Sequence, residues 1–367
     1  MGKQLKKKKK IAILLTSSLS VGRGAEVFVR ELVLRLKADF EVTVCSKDKT
    51  SELTKKIFCI ERTNPIVNYI FHRNEWLGNL MEKYFLNPGQ FESLTFSLFA
   101  LPHLLLNDYD LIFPINGVWG AMVCRIIRFI KGTPFLCVSQ GGIEPPVLKQ
   151  RPNAYVATKP SIFRWVKSYF PEMNIVLIGN GVNTEKFTPV IEPVKLPLER
   201  PIYLCVAAFF PVKRIELTIK AVSCLKRGSL LIIGASGPLE DKLRRSGRAL
   251  LGERFQIIKD IPYDKMPNFY TAADVFTLPT ADEPFGNVYI EAMASGLPVV
   301  APDDEDRRFI INGAGLLCDV ENESIYSSTL QRAAKTKFKG IVKQARKFSW
   351  EKIYKLYKDF FEDCLNK

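Results

Sequence analysis

The chain has 367 residues, of which 47% are hydrophobic and 25% are charged, and its formal net charge is +15. This length and composition predict a globular protein of two domains with ample core. Two histidines and eight scattered cysteines without C-x-x-C spacing argue against a histidine-rich metal centre and against a zinc site. We expect reduced cysteines and a cytoplasmic protein.

Lysine is concentrated at the start of the chain, at Lys3 and at Lys6–Lys10. Two interpretations stay open, a solvated tail and attraction to an anionic membrane surface on the inner face of the cell membrane. The aromatic stretch of residues 66–106 predicts either core packing or an interfacial surface or acceptor groove. No apolar run reaches the ~18–20 residues of a spanning helix.

Strand and helix patterns alternate from residue 11 to about residue 180, with a helical period over Ala25–Lys37. The predicted strands of this half are Ile11–Leu15, Glu41–Cys45, Leu111–Pro114, Phe135–Ser139, Ala154–Ala157 and Ile175–Ile178. Such alternation predicts a parallel, doubly wound α/β sheet.

A proline-rich segment, Thr188–Pro201, separates this half from a second alternation and is predicted to be a linker. The second half begins with predicted strand Ile202–Ala207 and ends with predicted helix Trp350 to about Leu365. Between them we predict helices Ile215–Lys226, Leu239–Ala249 and Lys265–Ala273 and strands Leu230–Gly234, Phe255–Ile257 and Val275–Pro279. We therefore predict domains over residues 1–187 and 201–348, a linker over 188–200, and a closing helix over 349–367.

The segment after Val275–Pro279 carries the most specific pattern in the sequence. Pro284 disfavours helical geometry at Glu283, which is therefore predicted to lie on a loop. A helix is predicted from about Asn287, with Gly296 as its left-handed stop.

The predicted start of this helix exposes backbone N–H groups over Phe285, Gly286, Asn287 and Val288, which favour an anion such as a phosphate. Glu283 and Glu291 flank that position. We expect them to accept hydrogen bonds from hydroxyl groups on either side of the anion, with Glu283 toward a sugar and Glu291 toward a ribose. A sugar nucleotide has this layout.

These residues resemble the E-x7-E signature of retaining glycosyltransferases of the GT-B fold, the glycosyl transferases group 1 with family-4-like members. Further motifs fit in the same order: Gly22–Glu26, Ile178–Asn183, Val206–Arg214 and Val299–Leu317. The resemblance implies two Rossmann-like doubly wound domains facing a central cleft. It implies an N-terminal acceptor domain, a C-terminal donor-nucleotide domain and a last helix that crosses back to the first domain.

The resemblance also assigns roles to single residues. Gly22 and Gly24 form a first glycine-rich loop, and Lys213 holds the donor diphosphate. The position of the arginine that accompanies this lysine in the family is Ala208 here. Three alternatives stay open: Arg214, Arg23 or a residue of the other domain replaces the arginine, donor affinity is weakened, or the donor is not a nucleoside diphosphate sugar.

Two further residues complete the expected site. Many relatives carry a histidine that reaches the transferred sugar in the loop after the strand Phe135–Ser139. This sequence has Gln140 in that loop, and Gln140 is expected to donate a hydrogen bond to a sugar hydroxyl. Tyr263 is expected beside the nucleotide base, mostly through backbone groups.

The expected activity is transfer of a sugar from a nucleotide-sugar donor to a saccharide or lipid-linked acceptor in cell-surface glycan assembly, without a cofactor or catalytic metal. A phosphorylase or a nucleotide-sugar epimerase of the same fold remains an alternative. A nucleic-acid-binding protein would also suit the charge, but most aromatic residues lie within apolar runs, and no nucleic-acid partner is expected.

Overall fold

The computed structural model describes residues 7–19, 24–73, 87–115, 117–140, 142–235 and 237–366. The chain divides into two compact units. Unit 1 comprises Met1–Thr158, Ile162–Ile178 and Tyr354–Lys367, and unit 2 comprises Lys159–Ser161 and Gly179–Ile353. The predicted linker, residues 188–200, lies within unit 2, and the division falls before it, between Ile178 and Gly179.

Strands in the described part of the chain are short and mostly buried. They are β1 (Lys10–Leu14), β2 (Glu41–Ser46), β3 (Thr54–Lys56), β4 (Leu111–Pro114), β5 (Leu136–Val138), β6 (Ala154–Ala157), β7 (Ile175–Leu177), β8 (Ile202–Val206), β9 (Ser229–Gly234), β10 (Phe255–Lys259), β11 (Val275–Thr277), β12 (Val299–Pro302) and β13 (Gly315–Cys318).

Helices connect most of these strands. Within the described residues they are α1 (Gly24–Leu36), α2 (Pro65–Asn68), α3 (Pro88–Leu106), α4 (Gly117–Lys131), α5 (Pro145–Leu148), α6 (Pro160–Tyr169), α7 (Ile215–Ser223), α8 (Glu240–Leu251), α9 (Met266–Ala272), α10 (Asn287–Ala294), α11 (Glu305–Ile311), α12 (Glu323–Lys335), α13 (Ile341–Ala345) and α14 (Trp350–Leu365).

Unit 1 is built on parallel strands in the orders β3-β2-β1-β4 and β5-β6-β7. A single parallel bridge between Ile112 and Phe135 links the two groups. Strand β1 is apolar and buried from Ile11 to Leu14, and its residues Ile11 to Ile13 have no exposed surface. Continuous apolar runs of this kind are typical of parallel sheets covered by helices on both faces.

Unit 2 contains, within the described residues, six parallel strands in the order β10-β9-β8-β11-β12-β13. This is the 3-2-1-4-5-6 order of a Rossmann-like sheet. A hydrophobic core runs along the sheet and includes the fully buried Leu204, Ile232, Phe276 and Val300. The predicted α/β class and the parallel, doubly wound sheets are therefore confirmed.

Most predicted elements agree with the structure to within a few residues. Strands β4 and β6 and helix α14 have the predicted bounds. Strand β3 was not predicted, because Thr54–Lys56 is three residues long and two of them are lysines on the exposed edge of the sheet. Gly296, the second residue after the end of α10, has a φ of +87°, as predicted for a helix stop.

Helix α14 begins in unit 2 and belongs to unit 1 from Tyr354 onward. Within unit 1, the Phe361 ring lies edge-on to the rings of Phe113 and Phe40, with centroids 5.2 Å and 6.4 Å away. Lys358 Nζ donates to Asp39 Oδ1 at 2.6 Å on the same side of the helix. The end of the chain is thus an integral part of the core of unit 1.

Among the helices of the described residues, none combines the length and the apolarity that crossing a bilayer requires.

Replacing Phe361 with alanine should lower the free energy of unfolding by about 3–5 kcal/mol, because it leaves a cavity among buried aromatic rings. Denaturant titration followed by circular dichroism measures this change. Leu356→Ala on the same helix, where the side chain is 47% exposed, is the matched control and should cost less than ~1 kcal/mol. Equal losses in both variants would contradict the packing described for α14.

Candidate functional site

The strand order of unit 2 fixes where a ligand site can form. Strand β8 lies between β9 and β11, so the chain turns in opposite directions from this strand in the two halves of the sheet. Ligands of such sheets bind at the carboxyl ends of the strands beside this switch point. The segments that leave β8 after Val206 and β11 after Thr277 carry most of the predicted site residues.

Lys213 and Glu283 form an ion pair between these two segments. Lys213 ends a short 3-10 turn, Pro211–Lys213, and its Nζ donates to Glu283 Oε1. Both side chains are less than one fifth exposed. Partial removal from water strengthens the attraction between the two charges and makes each of them costly to leave without a partner.

The loop that carries Glu283 is held by hydrogen bonds that its backbone carbonyls accept. Lys159 Nζ donates to the Glu283 carbonyl at 2.7 Å, and Arg307 Nη2 donates to the Thr280 carbonyl at 2.8 Å. Both cations are buried. Hydrogen bonds from charged donors are about twice as strong as neutral ones, so this loop is fixed on both sides of Asp282.

Lys159 and Ser161 belong to unit 2 although their chain neighbours belong to unit 1. Lys159 lies 3.2 Å from both Asp282 and Asp306, and Ser161 donates to Asp306 through its backbone N and its hydroxyl, at 2.9 Å and 2.7 Å. Sequence reasoning missed this cluster. Lys159 is 123 positions before Asp282, and no local pattern marks either residue.

Helix α10 starts with a free backbone end, as predicted. Gly286 precedes it with a φ of +99°, and no side chain caps the helix. A Cβ at Gly286 would lie 2.5 Å from the Tyr289 ring, so only glycine fits both the dihedral angle and the space. The N–H groups of the first turn have no partner within the helix and give this end partial positive charge.

The start of α10 is also fixed from the segment that follows β7. Asn180 Nδ2 donates to Asn287 Oδ1 at 3.0 Å. A Cβ at Gly179 would lie 2.8 Å from the Phe285 ring, so this glycine allows the two segments to approach closely. Asn180 is a second site neighbour that was not singled out, although it lies in a motif that carried the family resemblance.

Glu291 is buried inside unit 2, with 8% of its surface exposed. Its two carboxylate oxygens accept hydrogen bonds from the hydroxyls of Tyr263 and Tyr270, each at 2.9 Å. Burial raises the pKa of this carboxyl, and the two tyrosine hydroxyls oppose that rise. Each oxygen keeps a second lone pair, so a ligand hydroxyl can still be accepted.

Tyr263 therefore contacts the site through its side chain, whereas a backbone role was expected. Its ring lies against Phe187, with centroids 5.5 Å apart, and Lys186 Nζ lies 4.6 Å from its ring centroid. These contacts fix the hydroxyl that holds Glu291.

Arg214 has a left-handed backbone with a φ of +50°. Its Nε donates to the Pro279 carbonyl at 2.8 Å and its Nη1 to Glu321 Oε1 at 2.6 Å. The guanidinium therefore ties the segment after β8 to the segment after β11. Arg214 is predicted to replace the family's diphosphate-binding arginine, whose position is Ala208 in this chain, and that role stays a prediction.

The remaining predicted residues lie elsewhere in the chain. Gln140 follows β5 and Gly24 begins α1, both in unit 1, and Gly24 is exposed. Gly22 and Arg23 lie outside the described residues. The structure thus brings Lys213, Glu283 and the start of α10 together in unit 2. Glu291 lies on the same helix, and Tyr263 lies beside it.

An acidic side chain near the site, that of Asp304, accepts a hydrogen bond from another protein group. Asp304 accepts from the Arg307 backbone N–H at 2.9 Å and caps α11. In the parts of the chain that the structure describes, no three histidine, cysteine, aspartate or glutamate side chains cluster as metal ligands.

Comparison with known proteins relates the region that contains this site to a family. Residues 186–348, which contain Lys213, Glu283 and α10, match the family described as Glycosyl transferases group 1. This region of the chain therefore resembles the group 1 glycosyltransferases. The matched group 1 region lies within unit 2.

Curated proteins with similar sequences are glycosyltransferases by name. The chain is 29% identical over 155 residues to a GDP-mannose-dependent α-(1-6)-phosphatidylinositol monomannoside mannosyltransferase of Mycolicibacterium smegmatis, covering 38% of this chain and 41% of that protein. It is 28% identical over 227 residues to the lipopolysaccharide core biosynthesis glycosyltransferase LpsE of Rhizobium meliloti, covering 58% of this chain and 63% of that protein. The match thus spans about two fifths of the length of the first of these relatives.

Solved structures match nearly the whole chain. A sucrose-phosphate synthase from Thermosynechococcus elongatus has a TM-score of 0.75 at 22% identity, covering 97% of this chain and 100% of that one. Anabaena HepE in complex with UDP has a TM-score of 0.70 at 15% identity, with coverages of 97% and 100%. At such identities the likeness shows the fold, which is GT-B with two Rossmann-like domains, as predicted.

Glu291→Gln should gain stability relative to the unmodified protein as the pH rises above 4.5, the ordinary pKa of glutamate. The buried carboxyl has a raised pKa in the folded state, so it opposes folding only when the pH is high enough to ionise it in the unfolded chain. The glutamine variant has no such cost. Thermal unfolding at a series of pH values from 4 to 8 measures the difference in Tm.

The exposed Glu253→Gln is the matched control, and the difference between its Tm and that of the unmodified protein should not change with pH. Tyr270→Phe removes a hydroxyl that stabilises the carboxylate and should make the loss of stability with rising pH steeper. A Tm difference between Glu291→Gln and the unmodified protein that is constant across the series would contradict this account of Glu291.

Proposed function

We propose that this protein is a retaining, metal-independent glycosyltransferase that moves a sugar from a nucleotide-sugar donor to a hydroxyl group of a saccharide or lipid-linked acceptor. The observation that carries the proposal is the Lys213–Glu283 ion pair at the switch point of unit 2, in the group 1 region. The names of the relatives support it, since they include a GDP-mannose-dependent mannosyltransferase and a lipopolysaccharide core glycosyltransferase.

In this proposal the ion pair is exchanged when the donor binds. Lys213 leaves Glu283 for the donor diphosphate, and the freed Glu283 carboxylate accepts hydrogen bonds from hydroxyls of the sugar. The exchange keeps each partly buried charge satisfied, which lowers the cost of separating the pair. Glu291 accepts a ribose hydroxyl while Tyr263 and Tyr270 hold its carboxylate in place.

The transfer step breaks the bond between the anomeric carbon and the diphosphate oxygen, and the electron pair stays on that oxygen. Lys213 and the N-terminal end of α10, which begins at Asn287, stabilise the negative charge most strongly when it is fully developed. The acceptor oxygen bonds to the anomeric carbon on the same face, and its proton passes to the departing phosphate oxygen. Gln140 donates a hydrogen bond to the transferred sugar.

The proposed setting is the cytoplasmic side of the cell membrane, in the assembly of a cell-surface glycan. The lipid acceptor named for the mycobacterial relative and the net charge of +15 support this setting. No cofactor is part of the proposed reaction.

A thermal-shift screen tests the donor class directly. GDP-mannose, UDP-glucose, UDP-galactose, UDP-N-acetylglucosamine and ADP-glucose are each added at saturating concentration, and a bound donor should raise the Tm by mass action. Lys213→Met should lose most of this shift because the diphosphate loses a charged hydrogen bond, worth about 1.5–3 kcal/mol. Lys242→Met on the exposed side of α8 is the matched control. No shift with any donor would overturn the nucleotide-sugar proposal.

Glu283→Gln should lower kcat by about 10²–10³-fold with the donor found in this screen, because an amide cannot accept hydrogen bonds at both of its terminal atoms. Its Tm should stay close to that of the unmodified protein. Turnover is measured by release of the nucleoside diphosphate, with the exposed Glu253→Gln as control. Near-normal turnover in Glu283→Gln would remove this residue from the mechanism.

Product analysis with a labelled donor separates the proposal from its rivals. A glycosylated acceptor with retained anomeric configuration supports it. A sugar phosphate would indicate a phosphorylase, and an epimerised sugar without transfer would indicate an epimerase.

A further inference from the structure

The buried ammonium group of Lys159 is occupied by oxygens of the protein. Its Nζ donates to the Glu283 carbonyl at 2.7 Å and to Asp282 Oδ1 at 3.2 Å, and it lies 3.2 Å from Asp306 Oδ2. An ammonium group has three N–H donors and no acceptor. With one donor directed to each oxygen, none is left for a ligand. Lys159 can therefore act on a ligand only through the residues that it holds.

The contact between Lys159 and Glu283 joins two backbone positions that the sequence already restricts. Lys159 precedes Pro160, and Glu283 precedes Pro284. A residue before a proline is confined largely to extended conformations, because the proline ring crowds its backbone. Once the Glu283 carbonyl is also fixed, little freedom remains at the Glu283 Cα, and the direction of the side chain follows from it.

Helix α11 supports this loop at two points through consecutive residues. Arg307 donates directly to the Thr280 carbonyl at 2.8 Å. Asp306 lies beside the Lys159 ammonium group, which in turn donates to the Glu283 carbonyl. One helix thus fixes the loop at Thr280 directly and at Glu283 through Lys159.

The Asp306 carboxylate is itself held in place. Its Oδ1 accepts from the Ser161 backbone N at 2.9 Å and its Oδ2 from the Ser161 hydroxyl at 2.7 Å. It lies in the first turn of α11, where the N-terminal end of a helix stabilises negative charge. A fixed carboxylate beside the ammonium group keeps Lys159 where it contacts the Glu283 carbonyl.

Two lysines therefore contact Glu283 at different atoms. Lys213 Nζ donates to the carboxylate, whereas Lys159 Nζ donates to the backbone carbonyl. In the proposed function Lys213 leaves the carboxylate when the donor binds. The contact from Lys159 stays, because the Glu283 carbonyl is not among the groups that the donor contacts in that proposal.

We propose that Lys159 is a positioning residue of the sugar transfer, a role that rests on the proposed function. By holding the Glu283 carbonyl it keeps the Glu283 carboxylate where hydroxyls of the transferred sugar donate to it. A misplacement of about 1 Å can lower a reaction rate about 10²-fold. Donor affinity depends on Lys213, Glu291 and the start of α10, so loss of Lys159 should change kcat far more than the KM for the donor.

Steady-state kinetics with the donor found in the thermal-shift screen test this role. In Lys159→Met we expect kcat to fall by about 10–100-fold, while the KM for the donor stays within about threefold. Lys159→Arg keeps the positive charge and the N–H donors, and it should retain most of the turnover.

A double-mutant cycle separates positioning from a general loss of structure. If Lys159 acts through Glu283, Lys159→Met should lower kcat by less than about threefold when it is introduced into Glu283→Gln. Two residues that act independently would instead give losses that multiply.

Two control variants match these changes away from the loop. Lys242→Met removes an exposed lysine from α8, and Ile219→Val removes a methyl group from the buried side of α7, which lowers stability through packing alone. Both should keep kcat within about twofold of the unmodified protein. Lys159→Met/Asp306→Asn removes both charges of the pair, so it carries the test if Lys159→Met does not fold, and the same fall in kcat is expected.

Amide hydrogen exchange examines the loop in the absence of any donor. The Ala281 N–H donates to the Val212 carbonyl at 2.9 Å, so this part of the loop is protected in the folded protein. Peptides that cover residues 280–287 should exchange about tenfold faster or more in Lys159→Met than in the unmodified protein. Unchanged exchange would overturn the proposed role of Lys159.

Four kinetic results would also overturn it: a normal kcat in Lys159→Met, a loss that lies in KM, an equal loss in Lys159→Arg, or losses that multiply in the double variant. Each of these leaves the proposed transfer activity standing, because the unmodified protein still turns over its donor. An unmodified protein that turns over no donor rejects the transfer activity itself, and the role of Lys159 in the reaction falls with it.

Discussion

The pairing of β8 with β11 is the contact on which the candidate site depends. Tyr203 pairs with Val275 and Leu204 with Phe276, so the segments that follow the two strands emerge side by side. One segment carries Lys213 and the other carries Glu283. Their ion pair, the fixed loop at Thr280 and the open end of α10 all follow from this adjacency, because parallel strands deliver their following segments to one edge of the sheet.

The charged groups around Glu283 hold its loop without occupying the whole of the Glu283 carboxylate. Lys159 and Arg307 bind backbone carbonyls of this loop, whereas Lys213 binds the side chain. The cations that fix the backbone are therefore different from Lys213, the cation that the donor displaces in the proposed function. An arrangement of this kind keeps the carboxylate in position while its partner changes, which is the preorganisation that charge stabilisation in a reaction requires.

Much of the fold followed from local pattern. Strands buried on both faces are continuous apolar runs, so β4 and β6 were predicted to the residue, and Pro284 and Gly296 marked the two ends of the segment around α10. Strand β3 was not predicted because its two lysines are exposed at the sheet edge, so the strand has no apolar pattern in the sequence.

The sequence by itself determined the fold class, the loop position of Glu283 and the helix start at Asn287, because short-range steric preferences and apolar patterning control each of them. Only the tertiary structure decided which groups meet: Lys213 with Glu283, Lys159 with the Glu283 carbonyl, and two tyrosines with Glu291. These partners are separated by up to 124 positions. Their contact depends on how the strands are ordered in the sheet, and no local preference of the chain encodes that order.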